Sequence, residues 1–499
     1  MDNLLIGINV AVTIKSFIAI GAGVLMGIFV GAMPGLNAAT GVALLLPFTY
    51  GLDPSTAMIL LCALYTAAEY GGSITAIAIG TPGTPAAVAT TFDGYPLTKK
   101  GMPGKALGTS IIASTFGGIF STICLIVLSV PLVKFALKFG PTEYFALGIF
   151  GLTIVSSLIG KSVIKGFIAT MVGLMLNMVG DDEMTGFSRY LFGVAELFEG
   201  IPLVPVLIGL FAISEVFVII EELSPMHRFR EKISSALPTA REIRKMARVI
   251  IQSSIIGTVI GVVPGAGASV ANLVAYAEAK RISKEPEKFG SGVLEGVAAP
   301  EAANNATVGG ALIPLLTLGV PGSGTTAVLL GGLMLHGLIP GPQLFSRNPD
   351  VIYGLFVSLF IINFVMLFAG LLGTKLWTQV TATPKGILAT LILAIAFIGS
   401  YGINNDMFGV WVMLITGLMG YLMRRFGFPV PPVVIAMVLG KMVETNLRRA
   451  LLISDGSYKI FFTSPIAIGL FLLSFLSFFW PFIREHRRKK KLVMNSKHA

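Results

Sequence analysis

Charged residues are scarce in this chain. Only 12% of its 499 residues are Asp, Glu, Lys or Arg, about half of the roughly 25% that is usual in soluble domains. The hydrophobic share is 54%, and the mean hydropathy is +0.85. Many apolar runs reach the ~20 residues that a helix needs to cross a bilayer. This composition excludes an ordinary soluble domain and indicates a polytopic α-helical membrane protein.

Cysteine and histidine are also rare. The two cysteines, Cys62 and Cys124, lie inside apolar runs and indicate no disulfide framework. The four histidines show no zinc-binding spacing, and neither a nucleophile elbow nor a P-loop occurs. We therefore predict no catalytic residues, no enzymatic activity and no cofactor. The missing P-loop also argues against an ATPase in this chain.

Positive charge dominates the polar segments, with a formal net charge of +11. The basic residues cluster in 227–248 and in 484–491. The positive-inside rule places both clusters on the cytoplasmic side. Because basic loops usually flank membrane spans, we predict the lipid bilayer as their partner and no nucleic acid.

A glycine–proline motif occurs twice at a constant spacing. Glycines and a Pro-Gly pair recur in 27–35 and in 257–265, and a second Gly-x-Pro-Gly signal follows each copy, in 80–84 and in 319–323. Duplicated halves with interrupted apolar segments are typical of secondary transporters, where broken helices form the binding site near mid-membrane. The Gly-x-x-x-Gly glycines themselves fit close helix packing.

The predicted fold is an all-α polytopic membrane protein with roughly 10–12 transmembrane helices and some broken or re-entrant pieces. Two transmembrane repeats are expected at 1–220 and 249–485, with a basic cytoplasmic linker at 221–248 and a basic cytoplasmic tail at 486–499. The repeats are either parallel or inverted. Only the analogy with other transporters favours inversion.

The second signal of each half fits the recognition of a small anion. A broken helix leaves backbone N–H groups free where its second half begins, and the helix dipole favours negative charge there. The alternative is that Gly and Pro only kink or pack structural helices. The predicted substrate-binding residues are Ser73, Thr81, Pro82, Gly83, Thr84, Val320, Pro321, Gly322, Ser323 and Thr325.

A second polar set is predicted to bind a coupling cation such as Na⁺, whose ligands would be oxygens. If its segment is helical, Glu301 shares a face with two asparagines. An acid inside the membrane is a functional candidate, and its role as proton acceptor, cation ligand or interhelical lock is left open. The set comprises Gly35, Asn37, Gly265, Ser269, Asn272, Glu301, Asn304 and Asn305.

Several long strings occur in a characteristic order. They are Pro34–Asn37, Tyr70–Ser73, Thr81–Ala87, Asp93–Pro96, Pro264–Gly267, Ala299–Ala306, Leu318–Gly322 and His336–Pro342. Together they resemble the TctA family, the large permease subunit of the bacterial tripartite tricarboxylate transporters, over nearly the whole chain. The resemblance implies a multi-pass inner-membrane protein that imports a small carboxylate with Na⁺ or H⁺. It also implies two partners, a small TctB-like membrane subunit and a periplasmic TctC-like solute-binding protein.

Two positions depart from the family pattern. Asn37 stands where Gly is common, and Ala302 stands where Ser is common. Both lie in predicted polar sites, so citrate itself is not assumed as the substrate. The alternative function is an ion-conducting channel or motor subunit that moves no organic solute. It would show cation flux without dependence on a carboxylate.

Overall fold

The computed structural model describes residues 2–158, 162–182, 184–221, 237–373, 376–377 and 383–479, and these residues are mainly helical. The helices of the first half are α1 Asp2–Ala11, α2 Ile14–Gly31, α3 Ala38–Leu45, α4 Pro54–Ile79, α5 Thr90–Lys99, α6 Pro103–Ala136, α7 Pro141–Leu158, α8 Val163–Asn177, α9 Leu203–Ile208 and α10 Ser214–Glu221. A π-helical segment, Gly209–Ile213, joins α9 to α10.

The second half is helical as well. Its helices are α11 Ala240–Val262, α12 Gly267–Ile282, α13 Glu295–Leu318, α14 Gly324–Leu335, α15 Pro342–Arg347, α16 Pro349–Leu372, α17 Lys385–Asn404, α18 Met407–Arg425, α19 Pro431–Ile453 and α20 Pro465–Phe479. Short 3₁₀ turns lie at Leu46–Thr49, Pro85–Ala87, Ala195–Leu197, Pro286–Lys288 and Tyr458–Phe462. Strands β1 Gly180–Asp181 and β2 Ser188–Arg189 form one antiparallel pair.

Eight of the described helical segments are long and apolar enough to cross a membrane: α2, α4, α6, the continuous α9–α10 segment, α11, α16, α17 and α18. Shorter apolar helices lie at Ala38–Thr49, Val163–Asn177, Gly324–Leu335 and Pro465–Phe479. The predicted class, an all-α multi-pass membrane protein, is confirmed. The expected 10–12 crossings and the repeat orientation stay predictions.

The polar segment in mid-chain is helical over its last part. Helix α11 begins at Ala240, inside the range expected as a linker, and Thr239 and Glu242 cap it reciprocally. Residues 222–236 of the expected linker and the whole tail 486–499 lie outside the described residues.

The chain divides into two compact units. The first comprises 1–136 and 203–421, and it contains the interrupted segments of both predicted repeats. The second comprises 137–202 and 422–499. In the second unit, α19 packs against α7 and α8, and Gly173 of α8 lies so close to the carbonyl of Val433 that a Cβ would collide with it.

Glycines bring α2 onto α4 in the first unit. A Cβ on Gly27 would lie 2.5 Å from the carbonyl oxygen of Leu64, and one on Gly71 would lie 2.7 Å from that of Ile28. Gly31 approaches the backbone of Ala68 still more closely. Such contacts need glycine because they leave no room for a side chain, so the predicted Gly-x-x-x-Gly spacing acts here in helix packing.

The same contacts recur between α11 and α13. Gly257 lies against the carbonyl of Ala303, and a Cβ on Gly310 would lie 2.5 Å from the carbonyl oxygen of Thr258. One on Gly261 would lie 2.7 Å from that of Thr307. Each half of the first unit therefore contains a helix pair that is held together by glycines at matching positions.

Each pair ends in the same way. Helix α4 stops at Gly80 with φ 71°, and α13 stops at Gly319 with φ 73°. Both glycines adopt the left-handed conformation that commonly ends helices and that other residues rarely adopt. The chain then forms a short loop in each half, 80–84 and 319–323, before the next helical turn.

Candidate functional site

The first loop, 80–84, folds back onto α4. The backbone N–H of Gly83 donates to the carbonyl oxygen of Gly72 over 3.1 Å. The Thr84 side chain lies directly against Gly72, and its buried Oγ1 has no hydrogen-bond partner among the described residues. Thr81 is exposed and Pro82 is half-buried. The loop thus exposes Thr81 and buries the hydroxyl of Thr84.

The second loop, 319–323, is anchored in two ways. Val320, Pro321 and Gly322 are buried, and the carbonyl oxygen of Gly322 accepts from the N–H of Gly265 over 2.9 Å. The Ser323 hydroxyl accepts from the N–H of Thr326 and so caps α14. This cap leaves the two preceding N–H groups of the first turn without partners inside the helix.

Both loops touch α4. The Tyr65 side chain lies near Ser323, and Thr84 packs on Gly72. These two positions of α4 lie two turns apart, or about 11 Å along the helix. Thr325 is buried in the first turn of α14. Helix α4 therefore connects the two predicted anion loops.

Two asparagines of α13 also reach α4. Nδ2 of Asn305 donates to the carbonyl oxygen of Thr66 over 3.1 Å, and Nδ2 of Asn304 donates to that of Glu69 over 2.9 Å. Both Oδ1 atoms are buried without hydrogen-bond partners in the described part of the chain. A buried acceptor left unpaired costs about 1–3 kcal/mol, and such groups often mark functional sites.

Glu301 of α13 points into a group of hydroxyls. Its carboxylate accepts from Thr90 over 2.5 Å and from Ser110 and Ser114 over 3.2 Å each. Ser73 lies 2.6 Å from Ser110, oxygen to oxygen. Ser73, predicted to bind substrate, therefore belongs to the surroundings of Glu301. The acid is fully buried.

The remaining members of the predicted cation set lie at other contacts. Gly35 has φ 98° and lies beside the buried Glu215, and Asn37 caps α3 through Oδ1. Ser269 is half-buried in the first turn of α12. Oδ1 of Asn272 accepts from the N–H of Ala89 over 2.8 Å. Gly265 is bonded to Gly322, so the members of this set lie at several separate places in the first unit.

Sequence reasoning missed several polar partners. Thr90, Ser110 and Ser114 surround Glu301, and the spacing of the two serines by four residues within an apolar run was the available signal. In the sequence, Asp93 stands out only within the string Asp93–Pro96, which carries part of the family resemblance. The π-helical segment 209–213, a form frequent at functional sites, had no signal in the sequence.

Asp93 is the most extensively hydrogen-bonded acid near these loops. It is fully buried on α5. It accepts from the hydroxyl of Tyr276 over 2.8 Å and from the N–H groups of Gly290, Gly292 and Val293 over 2.7–3.0 Å. This acid therefore fixes the α12–α13 connection to the helix that follows the first loop.

A multi-pass helical protein with broken helices, paired loops and a buried acid has the features of a secondary membrane transporter. The model of the tripartite tricarboxylate transporter TctA family matches residues 17–435. The chain belongs to this family.

Relatives extend the comparison. One protein of Agrobacterium vitis, described as an uncharacterized 52.8 kDa protein in the TAR-I ttuC' 3' region, is 38% identical over 470 residues, which is 94% of each chain. A second, in the TAR-II ttuC' 3' region of the same organism, is 38% identical over 234 residues. That alignment covers 46% of this chain and 97% of the relative. No solved structure matches the chain significantly.

Proposed function

We propose that this protein imports a small di- or tricarboxylate across the bacterial inner membrane, driven by an inward cation gradient. It acts as the large subunit of a three-component system. A TctB-like membrane subunit completes the permease, and a TctC-like binding protein delivers the substrate from the periplasm. Membership of the TctA family supports this assignment.

The observation that carries the proposal is the pair of loops on α4. Thr84 contacts Gly72 and Ser323 lies near Tyr65, and these two positions of α4 are about 11 Å apart along the helix. An extended dicarboxylate with a hydrogen bond of about 3 Å at each end has a length of the same order. Two loops that each favour an anion match a substrate with at least two carboxylates better than a monocarboxylate.

The donors for one carboxylate lie at the start of α14. Ser323 caps the helix at Thr326, so the N–H groups of Gly324 and Thr325 remain available. The dipole of α14 adds positive potential at this end. At the other loop, the unpaired Thr84 hydroxyl is the donor. The cation is assigned to the polar residues between the loops, where Asn304, Asn305 and Glu301 present oxygen atoms.

The test is thermal stabilisation of the purified chain by mono-, di- and tricarboxylates, in sodium chloride and in choline chloride. We expect a selective shift with di- or tricarboxylates that is lost in Ser323→Ala. Ser346→Ala is the matched control, because Ser346 bonds only locally near the surface, to the carbonyl of Gln343. A shift shared equally by all carboxylates and unaffected by Ser323→Ala would refute the proposed loops.

If no carboxylate stabilises the isolated chain, the measurement is repeated with the partner proteins present. The same panel is then applied to the chain with its small membrane subunit and the carboxylate-loaded binding protein. If no carboxylate stabilises or is taken up in that complex, the carboxylate function is wrong. Cation flux that does not depend on a carboxylate would instead favour a channel or motor subunit.

A further inference from the structure

The surroundings of Glu301 are unusual for a buried acid. Its three hydrogen-bond donors are hydroxyls, one from α5 and two from α6: Thr90, Ser110 and Ser114. In the part of the chain that the structure describes, no salt bridge reaches Glu301. A charged carboxylate without a cationic partner is costly away from water, even when it is hydrogen-bonded. The site therefore favours the arrival of a positive charge.

The other ionisable groups nearby do not supply that charge. Glu69 and Tyr70 of α4 interact electrostatically with Glu301 and are acids. Asp93 of α5 accepts hydrogen bonds from Tyr276 of α12 and from the backbone N–H of Gly292. Lys105 of α6 is paired with Glu242 of α11, and the basic residues of α11 are exposed: Arg241, Arg244, Lys245 and Arg248. The other basic residues on the helices packed against α13 lie in last turns: Lys99 of α5, Lys134 of α6, Lys280 and Arg281 of α12, and Arg347 of α15.

The distances favour a proton over a metal ion. Thr90, Ser110 and Ser114 lie 2.5–3.2 Å from the carboxylate oxygens, which is the range of direct hydrogen bonds. Calcium, whose radius is close to that of sodium, lies about 2.3–2.6 Å from each ligand oxygen. Oxygens that share such an ion stand farther apart than Thr90 and Glu301 do. A proton needs no additional space.

We infer that Glu301 carries the coupling proton of the proposed transport cycle and that its hydroxyl neighbours rearrange around it. This inference rests on the proposed function and names the cation. The proton binds Oε2 and forms an O–H bond. The hydroxyl of Ser110 then turns from the carboxylate towards Ser73, and its oxygen accepts from the new O–H. Release of the proton reverses these steps, and no other covalent bond changes.

The same contacts connect the acid to a substrate loop. Ser73 is bonded to Ser110 and is adjacent to Gly72, which accepts the N–H of Gly83 and packs on Thr84. Thr90, which donates to Glu301, begins the helix that follows this loop. A change of charge at Glu301 therefore reaches the first loop by two routes, through Ser73 of α4 and through Thr90 of α5. This short path is the physical basis for coupling.

The direct test is infrared difference spectroscopy of the purified full-length chain in lipid between high and low pH. We expect acidification to produce the C=O stretch of a protonated carboxyl, and Glu301→Gln to remove it. Glu69→Gln, the matched change at the neighbouring buried acid, should leave that band in place. If the band is absent from the wild type, or persists unchanged in Glu301→Gln, the inference is wrong.

A second variant keeps the test decisive if Glu301→Gln does not fold. Thr90→Ala removes the donor to Oε1, which is the carbonyl oxygen once the proton is on Oε2, so the C=O band should move to higher frequency. Thr115→Ala is the control, because the buried Thr115 hydroxyl has no hydrogen-bond partner among the described residues. An unchanged band in Thr90→Ala would overturn the assignment to Glu301.

A transport assay distinguishes a failure of the proton site from a failure of the proposed function. In proteoliposomes with both partner proteins, an inward proton gradient should drive carboxylate accumulation by the wild type but not by Glu301→Gln. Carboxylate uptake driven only by sodium in both proteins would refute the proton site and leave the proposed function standing. A Glu301 band in the absence of any carboxylate transport would refute the proposed function, and the coupling role with it, while leaving Glu301 as a site of protonation.

Discussion

The N–H of Gly83 donates to the carbonyl oxygen of Gly72, 3.1 Å away, and holds the first loop against α4. The second loop is held differently, because the carbonyl of Gly322 accepts from Gly265. Gly83 also packs against the carbonyl of Gly31, and Gly322 packs against the carbonyl of Gly261. The two loops thus share a position but differ in how closely they are packed.

This difference predicts unequal effects of adding a methyl group. A Cβ on Gly83 would collide with the carbonyl of Gly31 and lie 2.6 Å from Oγ1 of Thr75, whereas one on Gly322 would lie 2.8 Å from the carbonyl oxygen of Gly261. Overpacking typically costs about 1–3 kcal/mol. We expect the loss of folding stability to lie at the upper end of this range for Gly83→Ala and at the lower end for Gly322→Ala. Thermal unfolding measures both.

Gly21→Ala serves as the control, since a Cβ at Gly21 would meet no atom within 4 Å. It should be at least as stable as the wild type, because Ala is favoured over Gly in a helix interior by about 0.5–1 kcal/mol. Equal loss of stability in all three variants would contradict the packing that we describe for the loops.

The Tyr65 hydroxyl should contribute to carboxylate binding. It lies near Ser323, so Tyr65→Phe removes a polar group beside the second loop, and a hydrogen bond lost there costs about 0.5–1.5 kcal/mol. We expect carboxylate affinity to fall by about 2- to 13-fold, which is the same energy range expressed as a ratio. Calorimetric titration measures this change. Tyr353→Phe on α16 is the control, and a similar loss in both variants would show that the effect is not specific to the loop.

Asp93 should be essential for the α12–α13 connection. Asp93→Asn replaces part of an acceptor by a donor that faces the N–H groups of Gly290, Gly292 and Val293. Leaving buried donors unpaired costs about 1–3 kcal/mol for each group. We therefore expect a large drop in thermal stability and faster proteolysis near residue 290.

Glu287→Gln tests whether this effect is specific. Glu287 lies exposed in the same connection, and its loss should leave both measurements unchanged. If Asp93→Asn resisted heat and protease as well as Glu287→Gln, Asp93 would not be the anchor of this segment.

A pH dependence is expected from Asp182 in the second unit, outside the membrane-spanning helices. Burial acts to raise its pKa, but the N–H groups of Met184 and Thr185 and the guanidinium of Arg448 outweigh it and lower the pKa to about 2. Because the folded pKa lies below the usual value, this carboxylate stabilises the fold above about pH 4. That contribution is lost as the pH falls towards 2.

The measurement compares wild type and Asp182→Asn by thermal unfolding from pH 7 downwards. The wild type should be more stable at pH 7, and the difference should shrink below about pH 4. Asp181→Asn is the control, because the exposed Asp181 accepts from Ser188 and not from Arg448. A difference that stayed constant down to pH 2.5 would contradict the role of Asp182.

The sequence predicted the membrane class and the places where helices break. Glycine needs no partner to favour a left-handed φ, so Gly80 and Gly319 end α4 and α13 as their local motifs indicate. The matching glycines at 27–31 and 257–261 likewise indicated close packing. These features depend on residues that are close together in the sequence, so they can be predicted from it.

The partners of Glu301 could not be predicted in the same way. Thr90, Ser110 and Ser114 are about 190–210 residues away in sequence, and no local pattern records which hydroxyl reaches which acid. Helix α4 posed a similar difficulty, since it is buried nearly all round and has no polar face to set its orientation. Its contacts with Asn304 and Ser323 appear only once the helices are packed.

The central claim is tested most directly by carboxylate counterflow in proteoliposomes that contain the chain with its two partner proteins. Vesicles are loaded with unlabelled di- or tricarboxylate, and the entry of labelled substrate is measured with and without a cation gradient. The account predicts labelled uptake that requires internal carboxylate at equilibrium, rises with the gradient and falls sharply in Ser323→Ala. Cation movement of equal size with and without carboxylate, and no labelled uptake, would contradict it.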